Sequence, residues 1–392
     1  MIYISIAFLL LFLSFYYDFA NKKSYSSFWW IFMYWLLVAV AGLRYKVGSD
    51  TFAYEVFFEE ENLYISTLAL EDYFNFNWEP LFIFFIALIK STIDSFIFFQ
   101  ICHALIINGI IFWFIRTNTR NKFTTLFFYF LFLYLLLNME MAREALAVCV
   151  FLIDVKYLCQ KKWLKYYLIA LIAFFFHYGA AILFLFPFLY TIKLSSKNIV
   201  LVLTLSIVII GIIVFGDIFM IFSNIGIPAI IIVKMAKYIY LSDGLNIVGM
   251  IISLIGYVVF PLAIINVYQK HINKDPRFSG FYFIFFVLAL VVIILPFLSR
   301  FYNYICLIAL VYLSNFLVAL WQSKRFTLIS KLIIIPLIFV ATISWNGRYY
   351  LNDISDITGK VGMKKYLYWY PYSSVFDKKI NTDRERLRDY ME

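Results

Sequence analysis

Charged side chains are scarce in this sequence: Asp, Glu, Lys and Arg make up 14% of the 392 residues, while 64% are hydrophobic. That balance excludes a water-soluble globular chain, whose surface would need far more polar groups. Cysteine is also sparse. Cys102, Cys149, Cys159 and Cys306 lie inside apolar runs without CxxC or Cys/His spacing, which argues against a disulfide framework or a zinc site and leaves them as small core residues. No internal repeat and no interdomain linker stands out. The first apolar run, 2–17, lacks a basic leader and a small-residue cleavage site, so it reads as a retained helix rather than a signal peptide.

What the sequence has in abundance is long apolar runs. A bilayer core needs about 20 residues of helix to cross it. Runs at 2–17, 28–43, 95–115, 123–137, 144–158, 166–176, 178–192, 199–215, 245–268, 280–297, 301–321 and 327–343 predict an all-α, polytopic helix bundle of roughly twelve spans with short extracytoplasmic loops. The net charge of +10 does not form a basic stripe of the kind that binds nucleic acid. It sits in connectors: Lys22 and Lys23; Arg116, Arg120 and Lys122; Lys161, Lys162 and Lys165; Lys193 and Lys197; Lys270, Lys274 and Arg277; Lys324, Arg325 and Lys331. All fall on one side when the spans are counted off, the positive-inside pattern of a cytoplasmic face, with both termini on the other side. This count requires 80–93 to be a re-entrant or interfacial helix, too short for a crossing. The chain then divides into a transmembrane region, 1–343, and an extracytoplasmic, aromatic and charged tail, 344–392.

An ionisable side chain well inside a span costs roughly 2.5 to 3.5 kcal/mol, so those that persist mark partners or a wet pocket. Arg44, Asp50, Glu79, Arg143, His177 and Arg300 all fall near non-cytoplasmic helix ends, in one layer. Three have a structural alternative: a local salt bridge of Arg143 with Glu140 or Glu144, snorkelling of Arg300, a satisfied core histidine at His177. Three arginines at one depth favour an anion, and a pyrophosphate suits the forked guanidinium, which stabilises a leaving group as its charge grows. Asp50, Glu79 and His177 are the candidate general bases for a hydroxyl. Tyr45, Tyr54, Trp78 and Tyr178 are candidates for stacking on sugar rings, or interfacial aromatics. His103 and His271 read as structural.

Several of these residues stand in a familiar order. Gly42-Leu-Arg-Tyr-Lys-Val-Gly-Ser-Asp-Thr-Phe-Ala-Tyr54 resembles the R-x3-G-x-D-x3-Y segment of EpsG/Wzy-type polysaccharide polymerases. Trp78-Glu-Pro80 is similar to that family's Glu-Pro-Gly, with Leu81 in place of glycine, and Arg143-Glu-Ala-Leu-Ala147 to its Arg-Gln-x-x-Ala. Phe176-His-Tyr-Gly-Ala180 resembles Phe-His-x-Ser-Ala, with Gly179 where serine is common. Arg300-Phe-Tyr-Asn-Tyr304 and Tyr370-Pro-Tyr372 fit the late motifs.

The resemblance implies a GT-C-like, multi-pass enzyme of the bacterial inner membrane. It would polymerise undecaprenyl-pyrophosphate-linked oligosaccharide repeat units by glycosyl transfer at the outer face, without metal or other cofactor. It implies as partners the lipid-linked glycan donor and acceptor, the bilayer and a chain-length regulator protein. Under it, Arg143 and Arg300 bind the donor pyrophosphate, Arg44 binds either diphosphate, Asp50 or His177 is the base, and Glu79 orients the acceptor. Two other classes remain open. One is a transferase of single sugars from a polyprenyl-phosphate donor, with Glu71 and Asp72 holding a metal. The other is a flippase or transporter, in which charges line a pathway.

Overall fold

The structure, a computed structural model, describes residues 2–69, 71, 73, 76, 78–215, 252–268, 280–295, 298–352, 354 and 363–389. The start of the 245–268 span, the basic connector at 270–277 and Asp72 lie outside the described residues. Their regular elements are all helical, with no strand among the described residues. We number the helices α1 (Ile2–Phe19), α2 (Ser26–Gly42), α3 (Thr51–Glu60), α4 (Pro80–Thr92), α5 (Phe96–Asn118), α6 (Lys122–Met139), α7 (Ala142–Cys159), α8 (Trp163–Phe176), α9 (Tyr178–Thr191), α10 (Ser196–Phe215), α11 (Ile252–Val267), α12 (Phe281–Ile294), α13 (Phe301–Gln322), α14 (Leu328–Leu351) and α15 (Thr382–Asp389).

Five of them, α1, α5, α6, α13 and α14, are long and apolar enough to cross a bilayer, and shorter apolar helices accompany them. The protein is therefore helical and built for a membrane. The predicted runs and the observed helices share their bounds to within a few residues, except that α14 continues eight residues past the expected end at 343.

The chain forms two compact units: Met1–Val155, Leu164–Ala180 and Ala309–Glu392 in the first, Lys156–Trp163 and Ala181–Ile308 in the second. In the second, Val258 of α11 packs with Phe286, Ala289, Leu290 and Ile293 of α12 in a small apolar core.

Within the first unit, helices are joined by close packing and by hydrogen bonds, since lipid offers apolar surfaces no incentive to leave it. Gly42 ends α2 against α5, and a β-carbon there would lie 3.0 Å from the Ile101 Cα. Asp18 of α1 accepts hydrogen bonds from the Thr124 amide (2.6 Å) and hydroxyl (2.8 Å), satisfying the exposed N-terminus of α6. Deeper in, Asn108 of α5 donates to the Asn138 side chain of α6 at 2.7 Å, and Asn138 donates to the Tyr129 hydroxyl at 2.8 Å. Buried amides need such partners, and these fix how α5 and α6 sit together.

The tail closes over the loop between α2 and α3. Tyr45 N donates to Ser373 O, Val375 N to Leu43 O and Gly48 N to Tyr368 O, each at 2.9 Å. The Arg384 guanidinium of α15 donates to the main-chain oxygens of Lys46, Leu367 and Pro371. Main-chain pairing cannot form across a bilayer, so residues 43–48 and 368–375 lie on one side of the membrane. An even number of crossings must separate them.

Candidate functional site

Glu79 immediately precedes Pro80, whose fixed φ and missing N–H suit the first turn of α4. That position puts a carboxylate at a helix start, where four amides lack helical partners. The Glu79 side chain does not cap them. It is 2% exposed and faces three other donors. Oε2 accepts from Arg143 Nη1 at 2.7 Å, and Oε1 accepts from His177 Nδ1 at 2.8 Å and from the Tyr178 amide at 3.2 Å. Arg143 sits in the first turn of α7, and His177 occupies the break between α8 and α9. Three elements thus converge on one carboxylate.

Burial works against ionising Glu79, but the His177 hydrogen bond, the Arg143 charge and the Arg143 hydrogen bond overcome it and hold its carboxyl down at about 2. A carboxylate with three donors carries its charge where one without them would not. Because ionised Glu79 takes the Nδ1 proton of His177, Nε2 is the ring atom left for proton transfer. It lies 4.0 Å from Glu144 Oε2. Gly179 leaves room for the ring, since a β-carbon there would stand 2.8 Å from His177 Nε2.

Aromatic rings wall the arginine. The Arg143 guanidinium carbon lies 5.0 Å from the Trp78 ring centroid, a cation–π contact. Trp78 stacks on Phe57 at 4.1 Å and meets Tyr54 edge-on at 5.1 Å. Tyr54 also hydrogen-bonds the guanidinium. Arg143 Nε makes no hydrogen bond among the described residues. The side chain is 27% exposed. An arginine with its Nε unbonded, one face on a tryptophan and its side chain partly open is placed to take an anion.

Asp50 belongs to a neighbouring cluster. It stands just before α3, and its amide donates to Glu140 Oε2 at 3.4 Å. Ser49 binds the same carboxylate through its amide (2.8 Å to Oε1) and its hydroxyl. Burial and the nearby Asp50 charge push the Glu140 carboxyl upward, against the Ser49 hydrogen bonds. Arg44 is 6% exposed, and its donors point back at its own loop: Nη1 to Ala41 O (2.5 Å), Nε to Val47 O (3.2 Å) and Nη2 to the Thr51 hydroxyl (3.4 Å). Its contacts shape the loop. Arg300 is exposed at the turn before α13, in the second unit.

The loop carrying Asp50 depends on Gly48, whose φ is +107°. A β-carbon there would collide with the Met139 carbonyl oxygen. Gly48→Ala is therefore expected to lower stability by about 1–3 kcal/mol, the range for a strained backbone position. Thermal unfolding of the purified protein checks this, and an unchanged melting point would show that the loop tolerates another conformation.

Of the residues singled out from sequence, Glu79, Arg143, His177, Trp78, Tyr54 and the Tyr178 amide meet at one place. The Tyr178 ring is 49% exposed, and Tyr45 lies with the tail-covered loop. Glu140 and Glu144 entered the sequence reading only as local partners of Arg143, yet one anchors the Asp50 loop and the other faces His177. Their signal was their place beside an arginine at a helix restart. Among the described residues, no group of three or more His, Cys, Asp or Glu side chains is arranged to hold a metal.

Apolar helices enclosing a preformed carboxylate, arginine and histidine cluster at their ends define a polytopic membrane protein with a polar site. The chain belongs to the EpsG family, whose model matches residues 27–374. Membership points to polysaccharide polymerisation in a membrane, a glycosyltransferase-like activity. Neither the curated proteins nor the solved structures compared contain a match.

Proposed function

We propose that this protein joins lipid-linked oligosaccharide repeat units at the outer face of the bacterial inner membrane. The donor is a glycan on undecaprenyl pyrophosphate, the acceptor a second lipid-linked repeat unit. The observation that carries the reading is Glu79 bridging Arg143 and His177, because it pairs a proton acceptor with a cation beside it. His177 Nε2 takes the proton of the acceptor hydroxyl as that oxygen attacks the anomeric carbon of the donor. The bond from that carbon to the pyrophosphate breaks, and Arg143 meets the growing charge on the leaving oxygen. Glu79 holds both partners, the orienting role that carboxylates play behind catalytic histidines. Arg143 supplies positive charge that a metal would otherwise bring. Arg300 is a second candidate for the pyrophosphate, and Asp50 for contact with the acceptor sugar. The α4 helix, 13 residues long, acts as a re-entrant or interfacial element that presents Glu79. A chain-length regulator protein is a further expected partner.

The test is polymerisation by purified protein in detergent, supplied with defined undecaprenyl-pyrophosphate repeat units in EDTA. A ladder of products that survives the chelator is expected. Addition of one sugar only, abolished by EDTA, would replace this reading with the metal-dependent transferase. Failure to form any product from cognate substrate would also overturn it.

A further inference from the structure

We propose that a separate cavity beside the tail-covered loop is a subsite for one neutral, hydroxyl-rich sugar ring. The proposal rests on the reading of the protein as a saccharide polymerase, which it extends to a site away from Glu79. The cavity measures about 310 Å³ and lies among the 44–46 loop, α3 and the start of α5, all within the first unit. That size is at the lower end of small-molecule pockets and suits one ring rather than a nucleotide or a lipid chain.

Gln100 gives the cavity its chemistry. It lines the space from α5 and is 2% exposed. Its amide makes no hydrogen bond within the described residues, while the buried amides of Asn108 and Asn138 on the neighbouring surfaces are fully engaged. An amide that lines a cavity without a protein partner is available to a ligand offering both donors and acceptors. Sugar hydroxyls offer both. Tyr45 and Phe96 supply aromatic walls of the kind that sugar rings cover with their C–H faces.

Charge sets the ligand class. Arg44, Lys46 and Lys378 line the cavity along with Glu55, Glu59 and Asp94, three charges of each sign. The balance gives no net attraction for a phosphate, a uronate or an amine. The same helix separates this cavity from the first site. Tyr54 of α3 reaches Arg143, while Glu55 and Glu59, one turn apart on the adjoining face, line the cavity. A ring held here is set apart from the Arg143 cluster by α3. It is therefore a ring of the repeat unit other than the one that reacts, and it fixes which repeat units are accepted.

The experiment uses the full chain in lipid nanodiscs and saturation-transfer NMR. The probes are methyl glycosides of glucose, galactose and N-acetylglucosamine, with methyl glucuronide as an anionic comparison. Binding of at least one neutral probe is expected, weaker by about tenfold in Gln100→Met, which keeps the side-chain volume but removes the hydrogen bonds. Should that variant fail to purify as a monodisperse protein, Glu55→Gln is measured in its place. Absence of transfer to every neutral probe, stronger transfer to the glucuronide, or equal binding by the variant would overturn the subsite. Glycoside binding through Gln100 in a protein that makes no polymer would keep the subsite and remove the polymerase reading. Polymer formation without Gln100-dependent binding would do the reverse.

Discussion

Glu79→Gln is expected to cut polymerisation by about 10²–10⁴-fold, the usual contribution of a positioned acid–base system. The substitution keeps shape and burial but removes the charge on which Arg143 and His177 converge. A glutamine amide offers one acceptor and one donor, so its NH2 must face either Arg143 Nη1 or His177 Nδ1, both of which are donors in the native arrangement. Either His177 then loses the partner that fixes its proton on Nδ1, or Arg143 loses its anchor. The same variant should alter stability against pH. The Glu79 carboxyl is held at about 2, below its ordinary value of 4.5. A carboxylate depressed in the folded state stabilises that state fully above its ordinary value, and the contribution disappears as pH falls through the folded value. With the side chain only 3% exposed, the contribution is about 3 kcal/mol. Thermal unfolding between pH 7 and pH 2 should show the native protein losing stability below about 4.5, the ordinary carboxylate range, with a shallower fall in Glu79→Gln. Parallel curves would mean that the cluster does not hold its charge in this way.

Arg143→Ala is expected to lower the polymerisation rate by about 10²–10³-fold, the cost of removing one preorganised charge stabiliser from a developing anion. Residual activity should remain insensitive to EDTA. Arg143→Lys should recover only part of the loss. A lysine retains charge, but it has neither the planar fork that matches two phosphate oxygens nor the flat face that lies on Trp78. Both variants leave Glu79 bonded to His177, so proton transfer is spared and the defect should concentrate in the step that releases pyrophosphate. Measuring ladder formation at saturating acceptor while varying the donor separates the two. Normal rates in Arg143→Ala would leave the arginine as a structural partner of Glu79 and nothing more.

The helices were legible because lipid imposes one rule on every spanning segment. The run at 144–158 and the helix Ala142–Cys159 differ by only a residue or two at each end. Short α3 escaped notice, since Thr51–Glu60 mixes acidic and aromatic residues and makes no apolar run. The residue types of the site were also legible, as charges near helix ends, but their pairings were not. Arg143 has glutamates beside it in sequence, yet its partner is Glu79, 64 residues away. Depth alone placed Arg44, Arg143 and Arg300 in one class. The surroundings separate Arg44 from Arg143: carbonyl oxygens of its own loop take the donors of Arg44, while a tryptophan face and a single carboxylate leave Arg143 partly open. Gln100 carried no signal at all, because one amide in an apolar helix reads the same whether its side chain meets a neighbour or a cavity.

The strap formed by the tail sets an order of assembly. Leu43, Tyr45 and Lys46 are made long before Val375, Ser373 and Arg384, which hold them. Until they are made, the loop bearing Asp50 waits without its cover. A chain cut short before Tyr368 would keep the helices that precede it yet leave that loop unfastened, so the loop is secured only after the distant tail has been made.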